Sequence, residues 1–354
     1  ISSVSGGSFT AAYYGLHGDG IFEDYEQAFL RQDVQGALIN RLLNPFRWFS
    51  GLGRTEMAVD YYEDTVFKNA TFADMQRLDG PIVVINATDF ARGVRFSFIQ
   101  DYFDLLCSDL SSFPVARAVT ASSAVPVLFN PVVVENYSNC SRIEYKAWLQ
   151  EVREQVRDRA DLMLTVNDLS SYADYDERRY IHFVDGGISD NLGLRSIYEF
   201  IELNGGFPRY LEKMQRTPPR RLVLISVNAA TDLQSTMDQT PKLPSLRASI
   251  SAVSNVQLRR YSIDTIALVE KSLERWADEI STPEQPVEPY FILLDFNGIK
   301  EPERREFLNE MPTSFSLTDE QVDALIAAGG ELLRNNAEFR RLMADLAADA
   351  RSGH

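Results

Sequence analysis

Apolar and polar positions alternate in blocks along the 354 residues, and the blocks predict strands separated by helices. A short β-favouring approach ends at Ser5, two glycines follow, and Phe9 to Leu16 has the composition of a helix of small and aromatic residues. Ala11, Ala12 and Gly15 leave that helix a face on which a neighbour can approach closely. Over residues 22–43, Phe22, Tyr25, Phe29, Val34, Leu38 and Leu42 recur near the 3.6 period and predict a second helix. Residues 55–68 predict another. The aromatic-rich segment between them, residues 44–53, reads as a cap packed on the core, with a lipid-touching lid segment as the rival reading.

Residues 81–88 are β-branched and apolar without alternation, the signature of a buried strand. Residues 89–93 turn it into the alternating run 94–98, which makes a hairpin. A small-residue helix over 115–124 stops at Pro126 and implies tight packing, against the first helix or a substrate channel. Residues 144–164 predict a charged amphipathic helix inside a surface insertion (140–180), and 165–179 a polar loop. The strand 180–184 leads into Asp185-Gly186-Gly187, after which Asp190 or Asn191 caps a helix ending at Gly205 and Gly206.

A buried strand at 221–227, a long helix over 244–280 and a last strand at 290–296 follow. Two helices close the chain, the first opened by the capping-box pair Thr318 and Gln321. Strands repeatedly separated by helical blocks mean an α/β fold with a largely parallel sheet flanked by helices. With no long polar linker, the chain reads as one domain over 1–354. Its core spans about 1–230 plus 290–296, and 240–354 is mostly helical.

Composition narrows the function. A hydrophobic content of 45% suits a sizeable core, and the net charge of −16 argues against nucleic-acid binding and against polybasic docking to anionic lipid. No apolar run approaches the ~18 residues of a membrane span. Cys107 and Cys140 have no metal spacing, and His17, His182 and His354 supply no cluster to join them. A disulfide and a pair of buried thiols both fit these cysteines. The sequence begins with Ile inside the first strand, as a processed product or a record starting partway through a gene would, and any signal peptide would lie upstream.

The candidate chemistry starts at S-V-S-G-G, residues 3–7. This is close to the G-x-S-x-G nucleophile elbow, with Ser3 in place of the first glycine. Such a turn is expected to admit only small residues and to lift Ser5 Oγ at the N-terminal end of a helix. Gly6 N–H is an oxyanion donor in this layout, and Gly7 completes the elbow. A serine nucleophile needs a base. His354 is terminal, His17 lies about three helical turns away, and His182, between Ile181 and Phe183, reads as a satisfied core residue. Asp185 is the better candidate. It sits at the carboxyl end of an apolar strand, where side chains of open α/β sheets converge, so it can bond Ser5 directly. Partial desolvation would raise its pKa into a working range. Taken alone, Asp-Gly-Gly usually marks a turn or helix cap.

Three patterns occur in order: S-V-S-G-G at 3–7, A-S-S-A-V-P-V-L-F-N-P at 121–131 and D-G-G-I-S-D-N at 185–191. With I-N-A-T-D-F at 85–90, the chain from residue 1 to about 230 resembles the patatin-like phospholipase family, in particular its bacterial members. The resemblance implies a three-layer patatin-like architecture and an acyl hydrolase working through a Ser5–Asp185 dyad and an acyl-enzyme. It implies phospholipid, lysophospholipid or other acyl-ester substrates, no metal and no cofactor, and is compatible with peripheral membrane contact. Ser122, Pro126, Gly186 and Gly187 would line the substrate channel. Export to the periplasm, a membrane or the medium is favoured over the cytoplasm. The family's Gly-rich oxyanion loop precedes the elbow and is not found here, so its strand and loop are expected to be absent from this chain. Two rivals remain: a non-catalytic lipid- or partner-binding protein on the same fold, and a triad hydrolase using His182.

Overall fold

The computed structural model describes residues 1–42, 53–76, 80–126, 128–138, 140, 143–231, 241, 243 and 245–352. They gather into two compact units, Ile1–Tyr210 and Leu211–His354. The chain crosses that division inside the helix Phe207–Lys213, so no linker composition marks it. The aromatic segment 44–53 lies outside the described residues except for Gly53, as does His354.

In the first unit β1 (Ser2–Val4), β2 (Val84–Asp89), β3 (Val94–Ser97), β4 (Val132–Glu135) and β5 (Tyr180–Val184) form one sheet with helices packed around it. The expected α/β architecture is present, but the sheet is mixed rather than largely parallel. β1 runs parallel to β2, while β3 and β5 are antiparallel to β2 and β4 is antiparallel to β5. The turn after β2 is one cause. Gly93, at φ 69°, closes it with an N–H bond to the Asp89 carbonyl at 2.7 Å, which reverses the chain with no room for a crossover helix.

Backbone polarity fixes the layout of β2, because successive residues point to opposite edges. The Ile85 carbonyl accepts Phe98 N–H at 2.8 Å on the β3 edge. Val84 N–H donates to the Ile1 carbonyl and Phe90 N–H to the His182 carbonyl, both at 2.8 Å, on the other edge. Thus β1 and β5 share one edge of β2 and enter from opposite ends. Their carboxyl ends face each other across Asn86.

Below this junction Phe96, Phe98, Phe103, Phe183 and Ile85 are buried, with the Phe96 and Phe183 rings 4.5 Å apart. The helix Gly6–His17 follows β1 and buries Phe9, whose ring stacks on Phe29 at 4.5 Å. A Cβ at Gly15 would meet Val83 Cγ2 at 2.9 Å and Met75 Sδ at 3.0 Å, the close approach its composition implied. The helix Val115–Ser122 packs on the helix Gly6–His17 and on β2, with Ala116, Ala118 and Ala121 fully buried.

Several elements differ from the sequence pattern. The helix expected over 22–43 is broken into Ile21–Tyr25, a π turn Glu26–Leu30 and Val34–Leu42. Asp33 Oδ1 accepts Gly36 N–H at 2.8 Å and restarts the helix, and Phe22 is left exposed. The helix expected over 144–164 is two, Ile143–Gln155 and Ala160–Ser170. The second continues into the predicted loop because Leu162, Val166, Leu169 and Tyr172 form one buried face. Cys107 and Cys140 form a disulfide, which joins the segment after the helix Gln100–Leu105 to the segment after β4.

In the second unit β6 (Arg221–Val227) and β7 (Glu288–Leu294) form a separate parallel pair, so the strand expected at 290–296 does not join the first sheet. Tyr290, Ile292 and Leu294 pack against Leu332 and Leu342 of the two closing helices. The Thr318–Gln321 capping box is present. β6 alternates rather than being wholly buried, with Val223, Ile225 and Val227 exposed. Among the described residues no helix is long and apolar enough to cross a membrane.

Candidate active site

The site forms where β1 and β5 end. Ser5 follows β1 directly and occupies the N-cap of the helix Gly6–His17 at φ 50° and ψ −127°. A serine with positive φ is strained, and such strain collects at functional positions. The Ser5 carbonyl accepts Ser8 N–H at 3.0 Å, so the chain turns into the helix within one residue. Gly6 and Gly7 hold the first two helical positions, whose N–H groups have no acceptor within a helix. Both are exposed.

Steric crowding does not explain these two glycines. A Cβ at either would meet nothing within 4 Å, against the expectation that the turn admits only small residues. The tight positions lie after β5 instead. A Cβ at Gly186 would sit 2.3 Å from the Asn86 carbonyl oxygen, and Gly193, at φ 64°, would press on Ser2 Oγ at 2.8 Å.

Asp185 follows β5 and faces Ser5. Ser5 Oγ donates to Asp185 Oδ2 at 2.7 Å, and Gly187 N–H donates to Oδ1 at 2.8 Å. Thr88 Oγ1 donates to the Asp185 carbonyl at 2.8 Å, and Asp185 N–H donates to the Ala124 carbonyl at 3.0 Å. Asp185 is 8% exposed. Burial pushes its pKa up, opposed by the hydrogen bonds from Ser5 and Gly187. A hydroxyl bonded to a desolvated carboxylate has a proton acceptor already in place, and the helix N-terminus beside it favours negative charge on a reacting oxygen.

Ser122 and Gly186, expected in a substrate channel, lie buried between the two strand ends, Ser122 fully so. Ser122 Oγ accepts Ser5 N–H at 2.9 Å, and Gly186 N–H donates to the Ser122 carbonyl at 3.0 Å. Gly187 is buried against the carboxylate, and Pro126 is half-buried where its backbone bridges to Phe129. His182 is exposed on β5, paired with Val133, rather than set in the core. His17 packs on the Tyr13 ring at 4.2 Å. The structure brings neither histidine to Ser5 or Asp185.

Asn86 and Thr88 are the site residues that sequence reasoning missed. Both are buried, and Asn86 Nδ2 donates to Ser2 Oγ at 2.9 Å and to the Ser3 carbonyl at 3.1 Å. Their signal was available: two polar side chains inside an otherwise apolar strand require buried partners.

Behind them Ser97 Oγ donates to Asn86 Oδ1 at 2.6 Å, and Arg95 bonds Ser97 and pairs with Glu199 at 2.5 Å. Nearby Asp190 accepts Ser196 N–H at 3.1 Å, and burial pushes its carboxyl up to about 6 despite Arg95.

The family model described as patatin-like phospholipase matches residues 1–198, more than half of the chain. No curated protein and no solved structure matches it.

Proposed function

Since this chain belongs to the patatin-like phospholipase family, we propose that it is a lipid acyl hydrolase in which Ser5 is the nucleophile and Asp185 its base. The observation that carries the reading is the 2.7 Å bond from Ser5 Oγ to Asp185 Oδ2 at the junction of two strand ends. Ser5 Oγ attacks the carbonyl carbon of a phospholipid or lysophospholipid ester while Asp185 takes the hydroxyl proton. The tetrahedral intermediate places its oxyanion at the helix N-terminus, where Gly6 N–H donates to it. Asp185 then returns the proton to the departing alcohol oxygen, leaving an acyl-serine. Water, deprotonated by the same carboxylate, hydrolyses that ester and restores Ser5.

The surroundings suit this chemistry. Gly187 N–H holds Asp185 by its second oxygen, which leaves Oδ2 free to face Ser5. Ile188 is exposed three residues beyond the base and offers apolar surface for an acyl chain or a membrane-borne substrate. The disulfide supports export into an oxidising compartment.

Turnover of a lysophospholipid and of a short acyl ester by wild type and Ser5→Ala tests the reading. Wild type should hydrolyse both and Ser5→Ala neither. Equal turnover by a folded Ser5→Ala variant would reject the mechanism. Lipid binding without turnover in wild type would favour a non-catalytic binder.

A further inference from the structure

The ladder between β1 and β2 is interrupted at the residue that follows β1. The parallel register pairs Val4 with Asn86, and the next rung of such a ladder would run from Ser5 N–H to the Asn86 carbonyl. Ser122 Oγ occupies that rung instead. It accepts Ser5 N–H at 2.9 Å and donates its own proton to the Asn86 carbonyl at 2.6 Å. Ser8 Oγ lies 2.9 Å from the same Ser122 oxygen and also donates to Ser3 Oγ at 3.3 Å. Ser122 is fully buried, so no water competes for these positions.

The same residue reaches the other strand end. Its carbonyl accepts Gly186 N–H at 3.0 Å, and two residues on, the Ala124 carbonyl accepts Asp185 N–H at 3.0 Å. One residue therefore bonds the main chain of Ser5 through its hydroxyl and the main chain after Asp185 through its carbonyl.

We infer that Ser122 is a positioning residue, whose hydroxyl is inserted as a one-atom spacer in the β1–β2 ladder and holds Ser5 off the sheet with Oγ toward Asp185. The inference rests on the roles proposed for Ser5 and Asp185. A direct Ser5-to-Asn86 bond would draw Ser5 toward extended strand geometry with negative φ. The inserted hydroxyl satisfies both backbone groups while Ser5 keeps its positive φ of 50°. Alanine at 122 would leave the half-buried Ser5 N–H and the buried Asn86 carbonyl without Ser122 as partner, and closing the rung directly would satisfy them at the expense of the nucleophile's placement.

The test compares wild type, Ser122→Ala, Ser122→Cys and Ser5→Ala as full chains. It measures kcat and KM on short- and long-chain acyl esters, the rate of labelling by a fluorophosphonate, and Tm. Ser122→Ala should lower kcat and labelling together by about 10²-fold, since small misplacements of reacting groups cost that much, with KM unchanged and the loss equal for both chain lengths. Ser122→Cys keeps a weak donor and acceptor and should fall between wild type and alanine.

Wild-type kcat and labelling in a folded Ser122→Ala would overturn the inference. So would a defect in KM that grows with acyl-chain length, the behaviour of a channel wall. If the alanine variant does not fold, the cysteine variant decides: wild-type kcat there overturns the inference, and a reduced kcat at unchanged KM supports it. Labelling of wild type that persists in Ser5→Ala would reject the parent reading. Labelling confined to Ser5 but indifferent to residue 122 would reject only this inference.

Discussion

Ser5 Oγ donates a 2.7 Å hydrogen bond to Asp185 Oδ2 across 180 residues of sequence. The contact follows from β1 and β5 meeting end to end along one edge of β2, which turns two separate strand-to-helix junctions into one site. No charged side chain is among the causes of the Asp185 shift; burial raises its pKa, and the Ser5 and Gly187 bonds oppose the rise.

The base works ionised, so kcat/KM should fall as pH drops through the Asp185 pKa. Burial places that limb above the usual aspartate value of about 3.9. A profile of kcat/KM against pH checks this. A limb at or below the ordinary value would contradict a desolvated base.

Replacing the base separates activity from stability. Asp185→Asn should lower kcat by about 10³-fold or more, as loss of a general base does in comparable hydrolases. A raised folded pKa gives a contribution to stability that is present at low pH and lost as pH rises through that pKa. The asparagine variant, neutral throughout and still able to accept Gly187 N–H, should therefore melt above wild type at neutral pH. Its advantage should shrink on acidification. Melting curves at several pH values read this directly.

Glycine substitutions should sort by position. Gly186→Ala forces a Cβ to within 2.3 Å of the Asn86 carbonyl oxygen and should destabilise by about 1–3 kcal/mol. Gly7→Ala meets nothing within 4 Å and should leave Tm unchanged or raise it by the helix-propensity gain of up to ~1 kcal/mol. Denaturant titration of the two variants gives the comparison.

Reduction of Cys107–Cys140 opens a link between residues 33 apart and should cost about 2–4 kcal/mol. Melting with and without a reductant, beside a Cys107→Ser Cys140→Ser double variant, measures it. The two treatments should agree.

Much of the site was legible because its signals are local. S-V-S-G-G and D-G-G-I-S-D-N each mark a strand end turning into a helix, and the structure sets both turns at the sheet. What the sequence did not reveal is pairing. Strand direction depends on the end of β2 from which each strand enters, and nothing in residues 180–184 encodes that choice. The role of the Ser122 hydroxyl was hidden for the same reason, since its partners Ser5, Ser8 and Asn86 are distant in sequence. Periodicity also misled where a single polar group intervened, as Asp33 does between Ile21–Tyr25 and Val34–Leu42. His182 looked like a core residue because Ile181 and Phe183 flank it, yet strand alternation turns it outward.

Mass mapping of the chain after reaction with a fluorophosphonate locates the nucleophile directly. One adduct is expected, on Ser5, absent from Ser5→Ala and strongly slowed in Asp185→Asn. An adduct on another serine, or labelling of Ser5 at the wild-type rate in Asp185→Asn, would contradict a Ser5–Asp185 pair.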